Sequence, residues 1–251
     1  MTDQAVLIVG VEYPAFLQHP GVLSVAQLEH ALASGGASAI RQVSLGQGIE
    51  AAERQRLGQL LQAHAIACVA GDAPQVPTCL THKHDAAHVL IAGARKTADL
   101  HYSYEFVLGS AEDRLCDHVT GQHVAAMLLI EAARQAVIAS LDQQYPAAEG
   151  QRWGLILEQL NTRFHSYAFP VPTQLAVLIQ QHSVAGARQI DVSLLIDIQQ
   201  AGQPVCDMRF DVKLCDTATL GKIEERKARK LVGQLLHPAD VAAPREDIAL
   251  V

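Results

Sequence analysis

The sequence has little positive charge and therefore little general attraction for nucleic acid. Its 251 residues include 19 lysines and arginines against 26 aspartates and glutamates, for a formal net charge of −7. Binding to a phosphate backbone depends on a surplus of basic side chains that displace its counterions. We therefore predict no nucleic-acid partner.

Long hydrophobic runs and a basic amino-terminal segment are also missing. The apolar run at residues 5–11 is much shorter than the about 20 residues that cross a bilayer. A second apolar stretch, residues 125–138, is interrupted by Glu131 and Arg134. The first four residues lack the basic start of a signal peptide. We expect a soluble, cytoplasmic protein without a membrane segment.

Motifs for metals and nucleotide cofactors are absent. None of the five cysteines stands in a C-x-x-C pair, which favours reduced thiols over a zinc or redox site. Residues 81–84 read THKH and His88 follows, but no cysteine or carboxylate completes a recognisable set of metal ligands. The fingerprints G-x-G-x-x-G and G-x-x-x-x-G-K-[ST] do not occur. The sequence therefore predicts no metal and no cofactor.

Residues 1–72 are predicted to form a small α/β unit with a structural or partner-docking role. Short apolar runs alternate with two helical segments, and Ser24 is placed to cap the first helix. Neighbouring parallel strands need a crossover between them, so the alternation predicts a three-stranded parallel sheet. The predicted strands are residues 5–10, 37–45 and 65–71, and the predicted helices follow Ser24 and begin at Ile49.

A different pattern begins after a linker at residues 73–80, which contains two prolines. Residues 81–216 read as two strands, one long apolar helix at 124–141, and four more strands with alternating polarity. Such an order predicts an antiparallel sheet wrapped around one buried helix, an α+β fold. Residues 217–251 are predicted to be a charged amphipathic helix and a loose tail.

The predicted central helix carries a carboxylate on an apolar face. Glu131 shares that face with aliphatic side chains, and an ionised carboxylate is costly to bury unless it is paired or hydrogen-bonded. One interpretation is a buried pairing with Arg134 or Gln135 that only orders the core. The other is a raised pKa suited to proton transfer. The sequence leaves both open.

The segment before the helix is rich in histidine. His118 and His123 flank Gly121, and a histidine can act as base, acid or oxyanion donor near neutral pH. Gly121 allows close backbone approach. In the alternative interpretation, Asp117 or Thr120 caps the helix and both histidines are surface or packing residues.

Two further cations are candidates for ligand binding. Lys83 is placed to hold a phosphate or pantetheine group. Arg163 lies on a predicted strand whose alternation puts it on one face with His165 and Tyr167. That face is either a polar lining of a site or a solvated surface of the sheet.

Two segments resemble a known family. DHVTGQHVAAMLLIEAARQA at residues 117–136, and less specifically THKHDAAHVLIAGARK at 81–96, are similar to the A-factor biosynthesis hotdog family. The layout also resembles, more distantly, β-hydroxyacyl-carrier-protein dehydratases. The resemblance implies a hotdog fold and the synthesis of γ-butyrolactone-type signals, a branch of secondary metabolism. In that chemistry a β-ketoacyl group passes from acyl carrier protein to a hydroxyl of dihydroxyacetone phosphate.

The resemblance also assigns roles to residues. Glu131 falls on the family's helix glutamate, His118 and His123 on the histidines before it, and Arg134 and Gln135 on its Arg-Gln pair. The family's signalling synthases carry two hotdog modules, whereas this chain has one behind an unrelated α/β segment. A lone module needs a partner to complete its acyl tunnel, so we predict a homodimer.

The predicted function is therefore an acyl-thioester enzyme. It transfers or condenses a (β-keto)acyl group from acyl carrier protein or coenzyme A onto a small hydroxylated acceptor. Alternatives are a hotdog dehydratase or thioesterase, or a non-catalytic acyl-binding or regulatory protein. The predicted catalytic residues are Glu131, His118 and His123, and the predicted substrate-binding residues are Arg134, Gln135, Gly121, Lys83 and Arg163.

Overall fold

The structure, a computed structural model, describes residues 4–35, 39–109, 121–147, 152–184 and 189–236. It contains a small parallel sheet at the amino terminus and a larger antiparallel sheet wrapped over one long helix. The two sheets belong to consecutive parts of the chain, as the sequence predicts. The part with the parallel sheet is called the leader, and the part with the antiparallel sheet is called the hotdog region.

The leader contains four parallel strands in the order β2-β1-β3-β4, not the predicted three. The extra strand has only two residues, too few to show any periodicity in the sequence. Helices α1 and α2 cover one face of the sheet with their leucines. The elements are β1 (Gln4–Ile8), β2 (Val22–Leu23), α1 (Val25–Ala33), β3 (Ile40–Leu45), α2 (Ala51–Ala63) and β4 (Ala67–Ala70).

Helix α1 begins at the predicted serine cap. The Ser24 hydroxyl accepts a hydrogen bond from the Gln27 amide at 3.2 Å, and the Gln27 side chain accepts one from the Ser24 amide at 2.8 Å. These reciprocal bonds satisfy two donors that a helix start leaves without partners. The local sequence therefore indicates where this helix begins.

The hotdog region is a six-stranded antiparallel sheet in the order β5-β6-β8-β9-β10-β7. This confirms the predicted succession of two strands, a helix and four strands, and with it the α+β hotdog fold. The elements are β5 (Ile91–Ala98), β6 (His101–Phe106), α3 (Ala126–Gln144), β7 (Trp153–Phe164), β8 (Gln174–Val184), β9 (Gln189–Gln200) and β10 (Gln203–Asp216).

Strict alternation along β9 shows how the sheet makes its core. Ile190, Val192, Leu194, Ile196 and Ile198 are buried and belong to the same core cluster as the inner residues of α3. Side chains alternate between the two faces of a strand, so the residues between them face away from the helix. One face of the sheet is therefore the binding surface for α3.

Helix α3 is not buried on all sides, contrary to the sequence prediction of a buried helix. Met127 is 59% exposed, and Ile130, Glu131 and Arg134 are partly exposed. The alanines and leucines of the opposite side are buried against the sheet. Hydropathy did not separate the two sides, because the partly exposed side also carries the large apolar residues Met127 and Ile130. The carboxylate of Glu131 thus stands at the border of the core rather than within it.

The predicted linker at residues 73–80 is an ordered part of the sheet edge. The Val76 amide donates to the Ile91 carbonyl at 3.0 Å, and the Gly93 amide donates to the Pro74 carbonyl at 2.9 Å. Val76 itself is buried in the core of the hotdog region. These bonds cover the outer edge of β5, since an unpaired strand edge needs partners for its backbone groups.

The leader and the hotdog region are joined by buried hydrogen bonds. The Gln47 side-chain amide donates to the carbonyls of Phe106 and Val171, each at 3.1 Å, and the Gly48 amide donates to the Leu108 carbonyl at 2.8 Å. Gln47 is almost fully buried. The carboxyl end of β3 therefore docks directly on the antiparallel sheet.

Helix α4 (Thr217–Leu236) follows the last strand and contributes no buried residue. It carries exposed leucines and a basic surface, and its amino-terminal turn lies against β7 and β10. None of the helices in the described ranges is both long and apolar enough to cross a membrane.

The Gln47 contact gives a first prediction. Gln47→Ala leaves two buried carbonyls without donors, and each such loss costs about 1–3 kcal/mol. We expect the free energy of unfolding in urea to fall by roughly 2–6 kcal/mol. Gln42→Ala, at an exposed position of β3, is the matched control and should have no comparable effect. Equal stability of Gln47→Ala and Gln42→Ala would contradict a stabilising contact between the leader and the hotdog region.

Candidate functional site

Helix α3 presents an ion cluster on its partly exposed side. Glu131 Oε1 lies 2.6 Å from Lys83 Nζ, while Arg134 binds both carboxylate oxygens, with Nε 2.7 Å from Oε2 and Nη2 2.8 Å from Oε1. Arg134 is one helical turn from Glu131, the spacing at which side chains meet. Lys83, Glu131, Arg134 and Gln135 are called the Glu131 cluster below.

The cluster keeps Glu131 ionised. Burial alone raises the pKa of the Glu131 carboxyl, but hydrogen bonds from Arg134, Lys83 and Gln135 outweigh it and lower the pKa from 4.5 to about 2. The same contact raises the pKa of Arg134. A carboxylate with so low a pKa is a weak proton acceptor. Of the two sequence interpretations, the geometry supports a paired carboxylate.

Gln135 is buried and links the helix to the sheet. Its side-chain oxygen accepts from the Leu90 amide at 2.8 Å, and its side-chain nitrogen donates to the His88 carbonyl at 2.9 Å and to Glu131 at 3.0 Å. No part of the residue is exposed to solvent. Gln135 therefore orients Glu131 and anchors the start of β5, and its contacts do not leave it facing a ligand.

Lys83 reaches the cluster from a tight turn. The amides of Thr81 and Lys83 both donate to the Thr78 carbonyl at 3.1 Å, and the Thr81 hydroxyl does the same. Thr81 is fully buried, and His82 between them has a φ of 53°, a backbone conformation that is uncommon outside glycine. The turn thus places one cation beside a helix that follows much later in the chain.

The histidine-rich segment is only partly within the described residues. His118 lies outside them, as do Asp117 and Thr120, the predicted caps. His123 precedes α3, and its ring centre is 5.0 Å from that of Tyr167. The residue at the helix start is Ala125, which makes no side-chain cap.

Gly121 contacts the leader. Its carbonyl accepts from the amides of Ala15 and Phe16 at 3.1 and 3.2 Å. It has a φ of +72°, and an added Cβ would lie 3.2 Å from Pro14. Glycine is needed here because the backbone is left-handed and the leader approaches closely.

Arg163 is not part of the Glu131 cluster. It is exposed on β7 and pairs in register with Asp207 of β10. His165 bonds to that same aspartate, but β7 ends at Phe164, so Tyr167 lies beyond the strand. The predicted face of three side chains is therefore incomplete.

Sequence reasoning missed the backbone groups that build the site. The His88 carbonyl and the Leu90 amide hold Gln135 in place, and no residue type signals such a role. In the part of the chain that the structure describes, no three histidine, cysteine, aspartate or glutamate side chains are arranged to hold a metal ion.

The sheet order, the enclosed helix and the cluster on that helix define a hotdog-fold protein. Residues 64–216 match the A-factor biosynthesis hotdog domain (AfsA) family, and because the match covers more than half of the chain, the protein belongs to that family. The match begins inside the leader, at its last predicted strand. No curated protein matches the sequence.

Solved structures with a similar fold include several thioesterases. A mutant thioesterase from Pseudomonas aeruginosa has 12% identity and a TM-score of 0.35, covering 50% of this chain and 81% of its own. A hypothetical thioesterase from Streptococcus pneumoniae, determined with coenzyme A, has 12% identity and a TM-score of 0.35, covering 49% and 85%. AziG of S. sahachiroi has 13% identity and a TM-score of 0.36, covering 49% and 90%.

The ion cluster gives a pH-dependent prediction. Glu131→Gln leaves Lys83 and Arg134 without their counter-charge, which should lower the free energy of unfolding by about 3 kcal/mol at neutral pH. Folding lowers the Glu131 pKa from 4.5 to about 2. The stability it contributes is therefore fully present above pH 4.5 and is lost as the pH falls towards 2.

The measurement is the stability difference between wild type and variant in urea, from pH 7 downwards. We expect the difference to be constant above about pH 5 and to shrink below it. Glu225→Gln is the matched control, since Glu225 pairs with Arg229 on the exposed surface of α4 and such pairs contribute little. A Glu131→Gln variant as stable as wild type at neutral pH would refute the paired role.

Proposed function

We propose that the protein is an acyl-thioester enzyme that transfers or condenses a (β-keto)acyl group from acyl carrier protein or coenzyme A onto a small hydroxylated acceptor. The observation that carries this proposal is the Glu131 cluster, which lies on the helix of the matched hotdog domain. Membership of the family supports the reaction class, and the cluster supports the binding of an anionic substrate.

The cluster holds one more positive than negative charge. Lys83 and Arg134 are both cationic and share the single carboxylate of Glu131. The Lys83 side chain is 18% exposed and that of Arg134 34%, so solvent-side donors remain. A phosphate balances this charge and accepts the charge-assisted hydrogen bonds that arginine and lysine offer. Coenzyme A, phosphopantetheine and a phosphorylated acceptor all carry one.

Glu131 acts in this proposal as a positioning residue. Because its pKa is about 2, it stays ionised at neutral pH and orients the two cations. The acceptor hydroxyl attacks the thioester carbonyl, an ester C–O bond forms, and the C–S bond breaks. A histidine suits the proton transfer from the hydroxyl to the leaving thiolate, and His118 and His123 remain the candidates.

A non-catalytic acyl-binding or regulatory protein is the second candidate. The observation that favours it is the complete pairing of Glu131. A fully paired carboxylate is a poor base, and a protein that only binds its ligand needs no base. A dehydratase or thioesterase would use the same residues. Acyl transfer, dehydration and thioester hydrolysis leave different products, so one assay separates them.

The test is incubation of the protein with β-ketoacyl and β-hydroxyacyl thioesters of coenzyme A and of acyl carrier protein, with and without dihydroxyacetone phosphate, read by mass spectrometry. Transfer gives an acyl ester only when the acceptor is present. Hydrolysis gives the free acid without it, and dehydration gives an enoyl thioester. Saturable binding without any product would favour the non-catalytic candidate.

Arg134 gives a kinetic prediction. Arg134→Gln removes a charge-assisted contact to the substrate phosphate, which is worth about 1.5–3 kcal/mol. We expect KM for the phosphorylated substrate to rise by about 10- to 100-fold while kcat changes much less. Arg95→Gln, which removes an exposed arginine on β5, is the control. An unchanged KM with a large loss of kcat would contradict a binding role.

The predicted homodimer is best placed on β7. Along its outer side β7 has no neighbouring strand among the described residues, and Leu157 and Phe164 are 45% exposed there. Unpaired edges of this length favour pairing with another chain. We propose that two copies pair through β7 and place their acyl sites near the interface.

Light scattering tests this assembly. We expect wild type to be a dimer at micromolar concentration and Leu157→Lys to be a folded monomer, since a charged side chain blocks edge pairing. Val69→Lys changes an exposed apolar residue on β4, the edge strand of the leader, and should leave the dimer intact. A monomeric wild type would refute the proposal.

A further inference from the structure

A cavity of about 780 Å³ lies between helix α2 and the hotdog region. Apolar side chains of the leader form much of its wall, and polar groups converge on it from both parts of the chain. This size and composition are typical of small-molecule sites. The apolar part of its lining includes Leu45, Ile49, Leu61, Ile66, Pro74 and Val107.

Its position is one at which α/β sheets bind ligands. The turns that follow β3 and β4 line it, so it opens at the carboxyl ends of parallel strands, where ligands bind in open α/β sheets. Gln47 and Gly48 close the neighbouring part of this edge by docking on the antiparallel sheet. The cavity occupies the rest of this edge of the parallel sheet, where no protein atoms pack.

One stripe of helix α2 faces the cavity with a glycine at its centre. Arg54, Gly58, Leu61 and Gln62 recur at the spacing of one helical face. An added Cβ at Gly58 would meet no atom within 4 Å, so close packing does not explain the residue. Glycine destabilises a helix interior, and its effect here is to keep the cavity open.

Arg54 brings a positive charge to the cavity. Its guanidinium donates to the carbonyls of Gly71 at 2.6 Å, Gly46 at 2.7 Å and Ile49 at 3.2 Å. No carboxylate of the described ranges lies within ion-pairing distance of it. A guanidinium has five N–H donors, so two remain beyond these three bonds. Burial lowers the pKa of Arg54, although the nearby Cys68 and Glu105 act in the opposite direction.

We propose that this cavity binds a small organic anion whose carboxylate or phosphate pairs with Arg54 and whose apolar part lies over Leu45, Ile49 and Ile66. Glu50 and Asp72 also line the cavity, so the anionic group lies beside Arg54 and away from these carboxylates. This site is separate from the Glu131 cluster. Its existence does not depend on the acyl-transfer proposal.

His88 is the residue through which the two sites meet. It lines the cavity, and its carbonyl accepts the hydrogen bond from Gln135 that also orients Glu131. A ligand in the cavity would therefore lie against His88, whose carbonyl holds Gln135 beside Glu131.

The test is calorimetric titration of the full chain with three compounds of equal chain length: octanoate, octyl phosphate and octanamide. The two anions distinguish a carboxylate from a phosphate ligand, and the neutral amide reports apolar binding alone. We expect at least one anion to bind about tenfold or more tightly than octanamide, because only an anion forms a charge-assisted hydrogen bond with Arg54. Equal affinity for all three, or no binding, would overturn the proposal.

A matched pair of glycine variants locates the site. Gly58→Leu fills the cavity from helix α2, while Gly221→Leu makes the same change in α4, where an added Cβ also meets nothing within 4 Å. We expect anion binding to weaken about tenfold or more in the first and to stay unchanged in the second. Both should melt at or above the wild-type temperature, because leucine favours helix over glycine.

A charge variant keeps the test decisive if Gly58→Leu does not fold. Gln55→Glu adds a carboxylate to the cavity lining, whereas Gln59→Glu adds one to the same helix outside it. Anion binding should weaken in the first only, with octanamide binding unaffected in both. Equal effects of the two variants would show that the anion binds elsewhere.

Discussion

The hydrogen bonds of one buried amide hold the central helix of this protein to its sheet. Gln135 satisfies the His88 carbonyl and the Leu90 amide at the point where the first strand of the hotdog sheet begins. Buried backbone groups without partners are costly, so the helix register is fixed relative to that strand. The position of Glu131, one turn earlier, follows from this register. The geometry of the Glu131 cluster therefore depends on the buried hydrogen bonds of Gln135.

The arrangement explains why a carboxylate and two cations sit together at the border of the core. Glu131 receives donors from its own helix and from the turn that ends at Lys83. Buried ion pairs are often no more stabilising than well-packed apolar residues of similar volume. The anionic substrate that we propose would balance the surplus positive charge of Lys83 and Arg134.

Periodicity and local motifs predicted most of the architecture. Alternation within residues 81–216 predicted the four strands that follow the central helix, and Ser24 located the start of α1. Long-range contacts could not be predicted. Nothing in the sequence indicates that Lys83 meets Glu131, or that Arg54 bonds three carbonyls. Such contacts depend on how elements distant in sequence pack, and many of their partners are backbone atoms without a residue signature.

The strand order also governs how the chain can fold. β7 follows α3 directly, but its partner β10 is the last strand, and the paired residues Glu158 and Lys213 are separated by 55 positions. Ribosomes add about 5–20 residues per second, so β7 waits for several seconds before its neighbour exists. During synthesis β7 therefore has two open edges until β10 is made. The sheet can close only after β10, which lies between β9 and β7, has been synthesised.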